Sequence, residues 1–411
     1  MTNSSARRKK RTRKLKALKS RTILLGVSGG IAAYKSVELV RRLKDEGASV
    51  VVVMTGAAAK FVTPLALEVA SQGKVYTSLF DDPMAHIRLP SEADLMIVAP
   101  ATADIISKFA GGVADDLLST CFLSYRGKVI LAPSMNWRMY ENIFFRENLG
   151  RLIASGYVIQ TGPEKGDLAC GEEGIGRMSE VREIVDAARS ALSKKDLSGE
   201  KIVVTAGPTR EYLDPVRFIS NRSSGKMGFA VARIARDRGA DVTLISGPAA
   251  QARPGGLKFI GVETSGEMLE AVSAETQDAS ILVMAAAVAD YSPAERSALK
   301  VEKGKEMSLT LRSTPDIISA ISGREKRPFI VGFAAETGPN VERAATKMKL
   351  KKMDMIVFND VTEPGAGFDV DTNKVVIIDR EQRTAVELMD KESVAAAIFD
   401  RVTALRSGTK A

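Results

Sequence analysis

One histidine, His86, occurs in 411 residues. Any imidazole acid–base chemistry must therefore happen there, and a multi-histidine metal site is excluded. A lone histidine serves as readily at a surface or a helix cap, so its surroundings decide. It precedes the apolar run Leu95–Ala99, which ends in the small-residue loop Pro100, Ala101, Thr102. Such an edge lets backbone approach a flat or phosphorylated ligand. Asn136 follows another apolar run, and its amide can both donate to and accept from a carboxylate. Cys170 stands among Gly166, Gly171, Gly174 and Gly176, beside Glu172 and Glu173 and before Arg177. So little apolar content reads as a lid over a site, and a thiol on a lid can deliver a proton.

Phosphate-binding features come next. Ser28, Gly29 and Gly30 separate the apolar run 22–27 from a helical pattern over 31–44. The dinucleotide fingerprint fails on spacing, and the second strand ends Val53, Met54, Thr55 with no acid for a ribose. What remains is a helix N-terminus suited to a single phosphate, so a mononucleotide such as FMN fits, held by Ser28–Gly30, Thr55 and Pro100–Thr102. A merely tight strand–helix turn is the alternative. In the second half, Asn221 to Gly228 superficially suggests a P-loop. No glycine stands four residues before Gly225, however, and Met227 replaces Ser/Thr. Ala285 to Asp290 closes a strand with one acid, placed to take Mg²⁺ on a nucleotide. Lys300, Lys303, Lys347 and Lys351 could neutralise phosphates or simply be solvated.

These residues need elements to position them. The runs 22–27, 48–54, 95–99, 128–132 and 157–159 read as strands, alternating with helical patterns that close at about 181–192. After the polar stretch 193–200 the pattern restarts. Strands are expected at 201–206, 241–245, 281–285, 329–332 and 355–358, a helix at 228–238, and a hairpin at 374–388 before a last helix. The expected fold class is α/β, with two Rossmann-like or flavodoxin-like open-sheet domains and mostly parallel sheets. The boundaries are a disordered basic arm over 1–20, domains over 21–192 and 201–411, and a linker over 193–200. Hydrophobic content is 45% and the net charge +9. The nine lysines and arginines of residues 1–20 equal that whole excess, so the body is not a polyanion-binding surface by net charge. Nucleic acid is not an expected partner, except through the arm. No apolar run is long enough to cross a membrane. Two cysteines far apart, Cys121 and Cys170, fit a reducing cytoplasm.

Together the motifs resemble known families. Gly26–Lys35, Met84–His86, Pro100–Asp104, Pro133–Tyr140 and Gly166–Met178 resemble the flavin-containing cysteine decarboxylases. Thr205–Gly228, Ala285–Tyr291, Thr314–Ile317, Val331–Thr337 and Met355–Asp360 resemble the phosphopantothenate–cysteine ligases. Their order resembles the bifunctional coenzyme A biosynthesis enzymes. The resemblance implies CTP-dependent joining of 4′-phosphopantothenate to cysteine through an acyl-cytidylate, then FMN-dependent decarboxylation to 4′-phosphopantetheine. It implies His86 as base, Asn136 as carboxylate binder and Cys170 as acid. In the ligase it implies Asn221 at the acyl-cytidylate and Lys300 at the triphosphate. Ala285, Ala286, Asp290 (through Mg²⁺), Thr314, Pro315, Asp316, Ile317, Phe333, Lys347 and Lys351 would hold CTP. The family's lysine run is interrupted by Val301 and Glu302, which leaves Lys303 without a firm match. Trimer and dimer contacts, giving a homo-oligomer and in full a dodecamer, are also implied. A ligase-only enzyme or a regulatory subunit with an inactive first domain are the alternatives.

Overall fold

The computed structural model describes residues 17–167, 171–304 and 307–408. They divide between Ser193 and Lys194 into two compact units.

In the first unit, β1 (Thr22–Val27), α1 (Lys35–Asp45), β2 (Ser49–Met54), α2 (Pro64–Ser71), β3 (Val75–Tyr76) and α3 (Ala85–Glu92) come in turn. β4 (Leu95–Ala101), α4 (Ala103–Gly111), α5 (Leu117–Ser124), β5 (Val129–Pro133), α6 (Trp137–Glu141), α7 (Ile143–Ala154) and β6 (Val158–Gln160) follow. A hairpin of β7 (Glu164–Asp167) and β8 (Glu173–Arg177) precedes α8 (Val181–Leu192). The sheet is parallel in the order β3-β2-β1-β4-β5-β6. Its strands are apolar on both faces because helices cover both. Ile23, Leu25 and Val27 pack with α1, α2 and α8, while Leu24, Met96 and Val98 pack with α3, α4, α5 and α7. The strand order reverses between β1 and β4, which opens a crevice at the carboxyl ends of these strands. This is the Rossmann order, without the dinucleotide fingerprint.

The second unit repeats the scheme. It runs β9 (Lys201–Ala206), β10 (Arg210–Tyr212), β11 (Phe218–Ser220), α9 (Lys226–Asp237), β12 (Asp241–Ser246), β13 (Lys258–Gly261), α10 (Ser265–Glu275) and β14 (Ile281–Met284). Then come β15 (Tyr291–Pro293), β16 (Leu311–Ser313), α11 (Ile317–Ser322), β17 (Phe329–Glu336), α12 (Val341–Leu350) and β18 (Met355–Asp360). β19 (Thr372–Asp379), β20 (Arg383–Asp390) and α13 (Lys391–Ser407) complete it. The sheet order is β13-β12-β9-β14-β17-β18-β19-β20. Its last two strands are antiparallel, as the hairpin pattern over 374–388 predicts. α9 and α13 cover one face, and α10, α11 and α12 the other.

Three expectations are corrected. The basic arm ends earlier than residue 20: Leu18 is fully buried, and its N–H donates to the Glu46 carbonyl at 2.9 Å. Residues 1–16 lie outside the described residues. The stretch 193–200 is not a free linker, because Leu197 is buried in the second core and Asp196 binds Arg238. Composition hid this, since one apolar residue among polar ones is enough to anchor a turn. The helix expected over 31–44 opens as a 3₁₀ turn, Ile31–Tyr34. Asp116 and Ser119 form a reciprocal capping box at the start of α5. Asp116→Ala is expected to cost the first unit about 1 kcal/mol, read from urea unfolding.

Candidate functional sites

A cavity of ≈ 950 Å³ lies at the carboxyl edge of the first sheet. Gly29, Gly30, Thr55, Thr102 and Asn136 line it, as expected from the sequence. Ser28 does not line it and sits behind the wall. Its hydroxyl donates to the Pro100 carbonyl at 2.7 Å and accepts from the Thr102 N–H at 3.0 Å, so it splices the β1 loop to the β4 loop. Pro100 and Ala101 are buried beneath rather than presented to the cavity. Thr102 caps α4, and the Thr55 hydroxyl accepts from the Ala58 N–H. Gly29 is a close-approach position: a Cβ there would stand 2.3 Å from the Ala57 Cβ.

The glycine-rich segment read as a lid is an antiparallel hairpin, β7–β8, fastened at one edge. The Met135 N–H donates to the Gly176 carbonyl at 3.0 Å. Trp137 Nε1 and the Arg138 guanidinium both donate to the Glu172 carboxylate, at 2.7 and 2.8 Å. Gly174 and Gly176 are needed there, since a Cβ would meet the Trp137 side chain or the Met135 carbonyl. Spacing alone could not reveal this, because the hairpin is held by polar bonds rather than by apolar packing. Asn136, between Met135 and Trp137, caps α6 through the Arg138 N–H. Cys170 lies outside the described residues.

His86 is the main surprise of the first unit. It is half-buried near the start of α3, where its backbone carbonyl accepts from the Ser124 hydroxyl at 2.5 Å. It does not line the cavity formed by its own chain. Exposed Phe80, Met84 and Ile87 surround it in sequence.

The second cavity, ≈ 590 Å³, sits at the equivalent edge of the second sheet. Asn221, Ala285, Ala286, Asp290, Thr314, Pro315, Asp316, Ile317, Phe333, Lys347 and Lys351 all line it, from five separate stretches of chain. Asn221 Nδ2 donates to the Val288 carbonyl at 2.8 Å, tying its loop to the loop after β14. Asp316 caps α11 and pairs with Lys351 at 2.9 Å. Burial raises the Asp316 pKa, but Lys351 and Ser319 outweigh it and hold the carboxyl below its ordinary value, ionised at neutral pH. Burial and then the neighbouring Lys351 lower the Lys347 pKa, with Glu336, Asp290 and Asp316 opposing. Lys300 and Lys303 are exposed and stand apart from the cavity lining. Val301 holds this segment elsewhere: its N–H donates to buried Asp214 at 3.2 Å, and Asp214 also pairs with Arg217. Sequence reasoning did not single out Asn373 and Lys391, and no local spacing could have found them; Asn359 also lines the cavity, from the Met355–Asp360 motif quoted for the resemblance. Among the described residues no three acids, histidines or cysteines cluster as a metal cage, and no helix is long and apolar enough to cross a membrane.

Each of the two units is an open, mostly parallel α/β sheet with a cavity at its switch point, the place where open α/β sheets bind their ligands. Residues 11–193 match the Flavoprotein family, and residues 197–405 match the DNA/pantothenate metabolism flavoprotein C-terminal domain. The coenzyme A biosynthesis bifunctional protein CoaBC of Vibrio cholerae is 44% identical over 94% of this chain and 98% of its own. That of Escherichia coli is 45% identical over 94% of this chain and 97% of its own. A crystal structure of the C-terminal domain of a CoaBC protein covers 52% of this chain and 100% of its own, at 35% identity and a TM-score of 0.46. The chain belongs to the family of bifunctional coenzyme A biosynthesis proteins.

Proposed function

We propose that the second unit joins 4′-phosphopantothenate to cysteine at the expense of CTP, and that the first decarboxylates the product to 4′-phosphopantetheine. The observation that carries this is the second cavity, where eleven residues matched to the ligases converge from distant stretches of chain. The substrate carboxylate attacks the α-phosphorus of CTP, and pyrophosphate leaves. The cysteine amine then displaces CMP from the acyl-cytidylate, forming the amide. Asn221 is assigned to hold the activated acyl group, with Lys347 and Lys351 supplying charge at the nucleotide. Lys300 would reach the triphosphate only by movement of its exposed loop. Asp290, exposed at the rim, fits a Mg²⁺ carried in on the nucleotide.

The first cavity fits FMN. Gly29 and Gly30 line it just before the 3₁₀ turn, where the Gly30 N–H donates to the Ser28 carbonyl at 3.0 Å and shapes the loop, and the missing Gly29 side chain leaves the loop close to Ala57. FMN, when bound, supplies the reversible two-electron oxidation that gives the departing carboxylate an electron sink. The chain contributes position and protons. Asn136 holds the substrate carboxylate, His86 is assigned the base of the first proton transfer, and Cys170 the acid of the last. The assembly is read as a cytoplasmic homo-oligomer with trimer- and dimer-type contacts, reaching a dodecamer.

The test is direct. Purified protein, expected to be yellow, is given 4′-phosphopantothenate, cysteine, CTP and Mg²⁺, and the products are identified by mass. 4′-Phosphopantetheine, CO₂, CMP and pyrophosphate are expected. Accumulation of phosphopantothenoylcysteine would sink the decarboxylase half, and its absence with all substrates recovered would sink the ligase half.

A further inference from the structure

The ligase reading leaves Lys300 off its cavity, on an exposed segment, yet the root of that segment is firmly held. Among the described residues between Ser297 and Thr314, Val301 alone is not exposed. Side chains from a distant turn take both of its backbone groups. The N–H donates to Asp214 Oδ2 at 3.2 Å, and the carbonyl accepts from the Arg217 guanidinium. That N–H belongs to the peptide joining Lys300 to Val301. Just before Lys300, the Ser297 N–H donates to the Leu213 carbonyl at 2.8 Å, and the Ser297 hydroxyl donates to the Leu299 carbonyl at 2.6 Å. The turn 213–217, between β10 and β11, therefore grips the chain on both sides of Lys300 and leaves the lysine itself exposed.

Asp214 is the centre of this grip. It is fully buried, and a carboxylate is seldom buried without several partners. Its Oδ1 accepts from the Val216 and Arg217 N–H groups, each at 2.8 Å, which is all that the turn requires. Its Oδ2 is left for Val301 and for Arg217 Nε at 3.4 Å. Burial raises its pKa, but the three N–H donors and the Arg217 charge outweigh burial, so the carboxyl stays ionised at neutral pH.

We propose that Asp214 is the positioning residue for Lys300: its second carboxylate oxygen fixes the root of the lysine at the β10–β11 turn, so that the side chain reaches the triphosphate from one defined point. The proposal rests on the ligase reading and names what aims its lysine. A lysine on a free segment would have to order both backbone and side chain on reaching the transition state. Pinning the adjacent peptide removes the backbone part of that cost beforehand, while the side chain keeps its freedom to swing. β11 carries the same reference onward: it pairs with β10 and ends at Ser220, next to Asn221 in the cavity. The group assigned to the triphosphate and the group assigned to the acyl-cytidylate are thus held by one hairpin. Asp214 itself does not line the cavity, so it acts through Lys300.

The test uses the full-length protein with Asp214→Asn. The Asn oxygen can still serve the turn, but its amide nitrogen then faces the Val301 N–H, donor against donor. Val301→Pro deletes the same bond from the loop side and leaves Asp214 in place, so it serves if Asp214→Asn does not fold. Single-turnover quenching separates formation of the acyl-cytidylate from formation of the amide. Both variants are expected to slow acyl-cytidylate formation by about 10- to 100-fold with no build-up of that intermediate, because Lys300 acts before it. In a Lys300→Gln background, Asp214→Asn should slow this step no further. Limited trypsin digestion without substrates reads the grip directly, and cleavage after Lys300 should quicken in Asp214→Asn. An equal loss with and without Lys300, or accumulation of acyl-cytidylate, shows a merely structural role and overturns the proposal. Unchanged cleavage with an unchanged rate also overturns it. Quickened cleavage in Asp214→Asn, where wild-type protein forms no acyl-cytidylate, leaves the anchor standing and sinks the ligase reading.

Discussion

His86→Gln is expected to slow decarboxylation by about 10²–10⁴-fold, the usual worth of a positioned base, while ligation proceeds at its normal rate. The ligase cavity contains no histidine and belongs to a unit with its own core. The more telling result concerns mixtures. His86 does not line the cavity of its own chain, and exposed apolar residues flank it, Met84 at 59% and Ile87 at 47%. If a second copy supplies the base, His86→Gln and Asn136→Ala chains assembled together recover decarboxylation that neither shows alone. A co-expressed mixture that stays inactive, although both variants form oligomers, would place His86 in its own chain's site and require α3 to move.

Gly29→Ala is expected to yield protein that loses its yellow colour on dilution, with flavin affinity reduced by about 10- to 100-fold. The new Cβ would stand 2.3 Å from the Ala57 Cβ and 2.9 Å from the Ala57 carbonyl carbon. Neither is the end of a flexible side chain, so two loops must separate, and both loops line the cavity. Because β1 and β2 pair along their length, the displacement falls on the loops and not on the sheet. Ala57→Gly in the same chain should restore part of the affinity, since it removes the nearer contact. Flavin fluorescence during titration reads both effects. Full retention of flavin by Gly29→Ala would show that the cradle is looser than this geometry implies.

Much of this protein was legible locally. The alternation of apolar strands with helical periods, the polar break near residue 193 and the Ser28–Gly30 and Gly225–Gly228 loops are short-range patterns. Each arises from a side-chain repeat or a helix start only a few residues long. The family resemblance rested on such motifs, and the ligase residues from Asn221 to Lys351 do converge, Lys300 apart. Tertiary structure decided the remainder. Neither cysteine nor glycine spacing could show that Trp137 and Arg138 grip the lid hairpin through Glu172. Nothing near residue 391 announces that it will meet residue 226; that meeting depends on two antiparallel strands bringing the chain back beside α9. His86 and Lys300, singled out by residue type and motif, sit off the cavities. The physical reason is common to all four. Periodicity and capping are set by neighbours within a turn or two, whereas the walls of a cavity are set by which strands pair and which helices pack. Those are long-range choices made by the core as a whole.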